Sequence, residues 1–191
     1  MGQVPAPKGL ILMKSLSRRD PDRLLHMFGC DCAERALYQL QKGDDSVPVI
    51  FGELLRLKRE WLEGACTSEQ LRSVRAEAEA LISSSFGEEE CGQKMLWRSY
   101  VAASEEDAFR AAKDASMGAV LGNAELATEG MDEEDDARID LWRETLQREK
   151  SWQKKRYLWL KKTYQWAGGR MTFLIREGTI ETPDEVALHV D

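Results

Sequence analysis

His26 stands four residues before Cys30 and six before Cys32, so one turn of helix would set its imidazole beside the first thiol, a pairing able to ligate a metal. A zinc site needs about four such ligands, and neither Cys66 nor Cys91 lies in a partner motif. His26 and the two cysteines are therefore read as a buried or half-buried cluster, where unpaired cysteine is common, and no metal or cofactor is expected. Nucleophilic catalysis asks for a base beside a nucleophile. The histidines are His26 and His189, the second in the C-terminal tail, and the chain holds no GxSxG elbow, glycine-rich phosphate loop or HExxH helix. No residue is put forward as catalytic, and a non-enzymatic role is expected.

Two acidic runs stand out instead. Glu88, Glu89 and Glu90 form one, and Asp132, Glu133, Glu134, Asp135 and Asp136 form the other. Such runs are often solvated loops and helix starts, but charge complementarity is also a common route to fast, specific association, so these eight residues are the candidate partner-binding set. The segment from Arg143 to Trp166 mixes basic and aromatic residues in a way that suggests a groove with stacking platforms for nucleic acid. Its aromatic lines are periodic and its lysines are interleaved with glutamates, so the tryptophans are read as core and the lysines as solvated. Direct nucleic-acid binding is not expected.

Helical periodicity positions these candidates. From about Ala137 to Ala167, Ile139, Trp142, Leu146, Tyr157, Leu160 and Tyr164 fall within roughly 60° of one another at 100° per residue. Trp152, Trp159 and Trp166 recur every seven residues on the flank. Two adjacent apolar lines call for two neighbouring helices, which would make this the central packing helix. Arg143, Glu144, Arg148, Glu149, Lys150, Lys154, Lys155, Lys161 and Lys162 are assigned to solvent, many at ion-pair spacing. The acidic run 132–136 suits this helix's positive N-terminal end.

Earlier in the chain, Asp20-Pro21 opens a helix carrying Leu24, Leu25, Phe28, Cys32, Ala36, Leu37 and Leu40, which stops near Gly43. Pro48, just inside the next start, leads Ile50, Leu54, Leu57, Trp61 and Leu62 to Gly64. Thr67-Ser-Glu-Gln70 has the form of a capping box for a third helix with Leu71, Val74, Ala78, Leu81 and Ile82. A fourth is expected from about Glu88 to Ala103, with a cap signature at Ser104-Glu-Glu-Asp107 that either restarts or kinks it. The alanine- and glycine-rich stretch that follows, to about Thr128, would pack backbone-close as the innermost helix. After Gly168-Gly169 the helical spacing is lost and β-branched residues appear, which points to a hairpin or extended strap.

The 191 residues, 42% apolar, suffice for one core, and 32% charged residues with a net charge of −7 favour a surface that avoids nucleic acid and suits basic partners. Leu10 to Met13 is too short for a signal-peptide core, and no stretch approaches the roughly 20 apolar residues of a membrane span. The four cysteines lack disulfide-scaffold density, so reduced thiols and a cytoplasmic setting are expected, with no membrane partner. The expected organisation is all-α: a tail over 1–19, a single bundle of five or six helices over 20–167, and a C-terminal hairpin or strap over 168–191. An exposed strap edge would pair within one chain or between two, which leaves a homodimer open.

Three segments also carry a likeness to a known family. They are Cys30-Asp-Cys-Ala-Glu-Arg-Ala-Leu37, the run Phe51 to Gly64 followed by Thr67-Ser-Glu-Gln, and Gln147-Arg-Glu-Lys-Ser-Trp-Gln-Lys-Lys-Arg-Tyr-Leu158. In this order they resemble the "DCAERVL", "EAARAWARGE" and "WQ…RL" helices of an alanine-rich, all-helical family of immunity proteins from bacterial toxin systems. The resemblance spans roughly residues 20 to 160. The middle here is poorer in alanine, and the acidic turn and C-terminal extension depart from the pattern. The resemblance implies a non-enzymatic protein that binds and neutralises another, with no catalytic residues to transfer. The expected partner is a toxin or nucleic-acid-processing effector. The alternative is a phage- or mobile-element-encoded inhibitor of a host defence complex, such as an anti-CRISPR, acting by an acidic surface or nucleic-acid mimicry.

Overall fold

The computed structural model describes residues 21–42, 47–88, 91–132, 134–163 and the short pairs 175–176 and 179–180. Among these residues the chain is all-helical apart from the two pairs, with six helices: α1 (Pro21–Lys42), α2 (Val49–Leu62), α3 (Ser68–Phe86), α4 (Gly92–Ala103), α5 (Ala108–Ala127) and α6 (Asp136–Thr163). The expected tail over 1–19 and nearly all of the expected strap lie outside the described residues. Of the strap, only the antiparallel pairs Ile175–Ile180 and Arg176–Thr179 are described.

Local chemistry sets the helix ends. Pro48 is the N-cap of α2 rather than its first helical residue, and α2 closes at Glu63 before Gly64, which takes a φ of +75°. The Thr67 capping box is present, with Gln70 N–H donating to Thr67 Oγ1 at 3.2 Å and Thr67 N–H donating to Gln70 Oε1 at 2.9 Å. Two expected starts move. α4 begins at Gly92, not near Glu88, because Cys91 is its N-cap, its Sγ accepting from Lys94 N–H. The cap signature at 104–107 restarts a helix, but Asp107 does the capping, taking Arg110 N–H at 2.8 Å, while Ser104 closes α4.

α5 lies at the centre and packs against α1, α4 and α6. Its buried residues are small: Ala108, Ala111, Ala112, Ala115, Ser116, Ala119, Val120, Gly122, Asn123 and Ala124. Small side chains let backbones meet. A Cβ on Gly92 would lie 2.5 Å from Leu126 N, one on Gly29 would lie 2.8 Å from Ala111 O, and one on Gly122 would lie 2.9 Å from Gly92 O. Larger side chains fill the rest of the core, chiefly Leu24, Phe28, Phe51, Leu54, Leu71, Leu96, Trp97 and Tyr100, with Tyr157 and Leu160 from α6. Phe51 packs against both Trp97 and Tyr100, ring centroids 4.9 and 5.5 Å away.

The expectation that the tryptophan helix is central is corrected. α6 lies against the bundle through one face made of Thr145, Glu149, Gln153, Tyr157 and Leu160. Ile139 is 36% exposed and Trp159 is 50% exposed, so the two apolar lines are not each covered by a neighbouring helix. The reason is local to the partner surface: α5 and α1 offer polar groups opposite Glu149 and Gln153, and these hold the face that apolar periodicity assigned elsewhere. No helix among the described residues is long and apolar enough to cross a membrane.

Candidate functional site

Of the eight candidate binding residues, Glu88, Asp132, Glu134, Asp135 and Asp136 are described, and all five are exposed; Glu89, Glu90 and Glu133 lie outside the described residues. Glu88 follows Gly87, whose carbonyl receives buried Lys94 Nζ at 3.1 Å, so the end of α3 is tied to the start of α4. In the other segment, Asp132 Oδ1 accepts Glu134 N–H at 3.1 Å and Asp135 Oδ1 accepts Ala137 N–H at 2.8 Å, which shapes the entry to α6. The contact of Gly92 with Leu126 and Gly122 sets the start of α4 beside the end of α5. Glu88 lies four residues before Gly92 and Asp132 six after Leu126, so both acidic segments emerge at the same end of the bundle. Exposed Glu129 extends this acidic end and was missed, though its place just before Gly130 was a usable signal. Glu125 beneath it is already engaged, accepting Trp142 Nε1–H at 3.0 Å and facing Arg138 at 3.5 Å.

The second candidate cluster is a buried one. His26 packs its ring edge-on to Trp61, centroids 5.3 Å apart, and burial together with Lys58 lowers its pKa to about 3, so the imidazole is neutral. Burial pushes the Cys30 thiol up to about 12, which leaves it protonated and poor both as nucleophile and as ligand. Cys66 is also buried, and all four cysteines are free thiols. Among the described residues no group of three or more His, Cys, Asp or Glu side chains could hold a metal ion.

Lys58 is the surprise of this region. It is fully buried, its Nζ 4.0 Å above the Trp61 ring and donating to Glu105 O at 2.5 Å, and burial lowers its pKa to about 8. The signal was there: buried Phe51, Leu54, Leu55, Lys58 and Leu62 follow helical spacing, and only the lysine's charge argued against the core.

A charged seam runs along α1 between α2 and α6. Arg35 grips Glu149 with two hydrogen bonds, at 2.6 and 2.9 Å, and Arg156 Nε donates to Asp31 at 2.8 Å. On the α2 side, Arg59 pairs with Glu34 at 2.8 Å, while Arg23 reaches Leu62 O at 2.6 Å and the Glu63 carboxylate. Burial raises the Asp31 carboxyl, and the hydrogen bond from Arg156 pulls it back; the Glu34 hydrogen bond raises Arg59. Two clefts of about 390 and 310 Å³ flank this seam and share Asp31. Since these carboxylates are matched by guanidiniums, the arrangement fastens helices and supplies no acid/base couple. Glu149, assigned to solvent by its spacing, is 1% exposed here, a correction explained by Arg35 arriving from 114 residues away.

Of the α6 tryptophans expected in the core, half-buried Trp152 packs against it, whereas Trp159 is half exposed. Trp152 is half-buried beneath Arg35, whose guanidinium carbon lies 4.6 Å from the ring centroid, and Arg156 lies 4.3 Å over half-exposed Trp159. No protein-family model, curated protein or solved structure matches the chain.

Proposed function

We propose that the chain is a non-enzymatic binding protein that neutralises a basic partner protein by stoichiometric contact through its acidic end. The observation that carries this reading is the convergence of Glu88 with Asp132, Glu134, Asp135 and Asp136 at one end of the bundle, all exposed. Charges presented on a rigid scaffold steer encounter and suppress wrong partners more than they add raw affinity. The resemblance of the α1, α2 and α6 segments to immunity proteins supports the same reading. It makes a toxin or a nucleic-acid-processing effector the partner, met in the cytoplasm. The C-terminal strap, if paired between chains, would present two such ends in one homodimer.

The test is affinity capture from the native lysate at low and high salt, run in parallel with wild type and a variant carrying Asp132→Lys, Asp135→Lys and Asp136→Lys. A partner retained by wild type at low salt, released at high salt and lost on the variant supports the proposal. Equal retention by both, with the same salt dependence, removes the acidic end from the reading. Displacement of that partner by DNA or RNA would favour the inhibitor of a host defence complex over the toxin antidote.

A further inference from the structure

The second half of α6 carries a feature that the acidic end leaves unexplained. From Arg148 to Lys162 the helix holds Arg148, Lys150, Lys154, Lys155, Arg156, Lys161 and Lys162 but a single carboxylate, Glu149, and that one is buried against Arg35. The interleaving of lysine with glutamate that pointed to a balanced solvated face is thus absent from the surface of this half. At 100° per residue, Arg148, Trp152, Lys155, Arg156, Trp159 and Lys162 lie within about 120° of one another and extend over about 21 Å. Arg148, Lys155, Trp159 and Lys162 are exposed and Trp152 is half-buried. Tyr157 and Leu160, on the neighbouring face, anchor the helix in the core and hold the stripe outward.

We propose that this stripe binds single-stranded nucleic acid, with Trp159 as the stacking platform and Arg148, Lys155 and Lys162 as the phosphate contacts. Single-strand sites combine a positive track for the backbone with aromatic faces for the bases. Both elements are present and pre-organised. Arg156, held by Asp31, lies over Trp159, and Arg35, held by Glu149, lies over Trp152, so the rings are braced; exposed Lys155 and Lys162 face solvent, and exposed Arg148, 3.9 Å from Glu149, shares that carboxylate with Arg35. Carboxylates near the stripe on α1 are Asp31 and Glu34, matched by Arg156 and Arg59. The acidic turn at the far end does not cancel the site. Asp136 lies 23 helical residues from Trp159, about 35 Å, against a screening length of about 8 Å in physiological salt. A ring standing on a convex helix stacks on an unpaired base and not inside a duplex. A membrane surface fits poorly, because an interfacial helix needs a broad open apolar face and this one spends its apolar face on the core.

Fluorescence anisotropy of a labelled 20-nucleotide oligo-dT, titrated with the full chain at 20 and 200 mM NaCl, tests this directly. Binding at 20 mM salt is expected, with a slope of log affinity on log salt near about −2 for three phosphate contacts, together with quenching of tryptophan fluorescence. Trp159→Ala should weaken binding about 5- to 100-fold. Lys155→Glu with Lys162→Glu should weaken it by more than about tenfold and flatten the slope. Both changes are at exposed positions, and circular dichroism confirms the fold. The lysine variant on the acidic end should bind the oligonucleotide at least as well as wild type, which separates this site from the proposed protein-binding end. No anisotropy change at 20 mM salt, unchanged binding by both stripe variants, or stronger binding to duplex overturns the proposal. Polyglutamate competing as well as oligo-dT would reassign the stripe to an acidic protein, and sedimentation with anionic vesicles without oligonucleotide binding would reassign it to a lipid surface.

Discussion

The contact of α5 with α4 and α1 and the contact of α6 with α5 and α1 solve the same problem by opposite means. Around α5, glycine and alanine bring backbones together: Gly92, Gly122 and Gly29 sit where an added Cβ would meet the main-chain atoms of a neighbouring helix at under 3 Å. At α6, long polar side chains bridge the gap: Arg35 to Glu149, Gln153 Nε2 to Ser116 O at 3.0 Å, Trp142 to Glu125 and Arg156 to Asp31. The close-packed contact is intolerant of any added atom. The polar one is intolerant of losing a single partner, since an orphaned buried charge costs far more than the intact pair contributes.

That contrast can be broken most sharply at Glu149. Replacing Glu149 with Ala leaves Arg35 without its carboxylate, and chemical denaturation should show a loss of about 3–5 kcal/mol. The double change Glu149→Leu with Arg35→Met should recover most of it, because a matched apolar pair removes both charges at once. A loss under about 1 kcal/mol for Glu149→Ala would mean that the seam does not hold α6.

Lys58 extends the polar side of the comparison to α2. Its folded pKa, about 8, lies below the ordinary 10.5, so between those values the unfolded chain binds the proton that the folded one has shed. The buried thiols Cys30, Cys32 and Cys66, raised by burial, act the other way above pH 9, so the Lys58 effect is read as a difference: between pH 8 and 10.5 wild type should gain up to about 3 kcal/mol relative to Lys58→Met by urea unfolding. A difference between the two proteins that stays flat over this range would mean that the ammonium is comfortable over Trp61 and Glu105 O.

On the close-packed side, Gly92→Ala puts a carbon 2.5 Å from Leu126 N, so backbone must yield, at about 1–3 kcal/mol and a melting temperature several degrees lower. The smallest effect has the opposite sign. Gly52, within α2, meets nothing within 4 Å of an added Cβ, so Gly52→Ala should stabilise by about 0.5–1 kcal/mol. If both alanines behaved alike, helix propensity and not interhelical distance would govern these glycines.

Much of this architecture was legible in the chain. The Thr67 box, the small residues of α5 and the apolar lines of α2 and α3 are local signals, and each appears where spacing placed it. The shifts at the ends of α4 and α5 came from competing caps, Cys91 and Asp107, within a few residues of the expected ones. For the candidate site, the identities of Glu88 and Asp132 to Asp136 were readable as runs, but their meeting at one end depended on Gly92 touching Leu126.

The sequence by itself therefore determined the helices and their order, because caps and periodicity act over a few residues. Only the tertiary structure decided which polar groups went inside. Glu149 is buried because Arg35 comes from 114 positions away to neutralise it, and Lys58 because Glu105 O and Trp61 receive its ammonium. With the Glu149 face of α6 turned inward, Trp159 and its flanking cations stand outward. A rule of apolar spacing cannot foresee this, since it knows the polarity of a side chain but not the partner that will meet it.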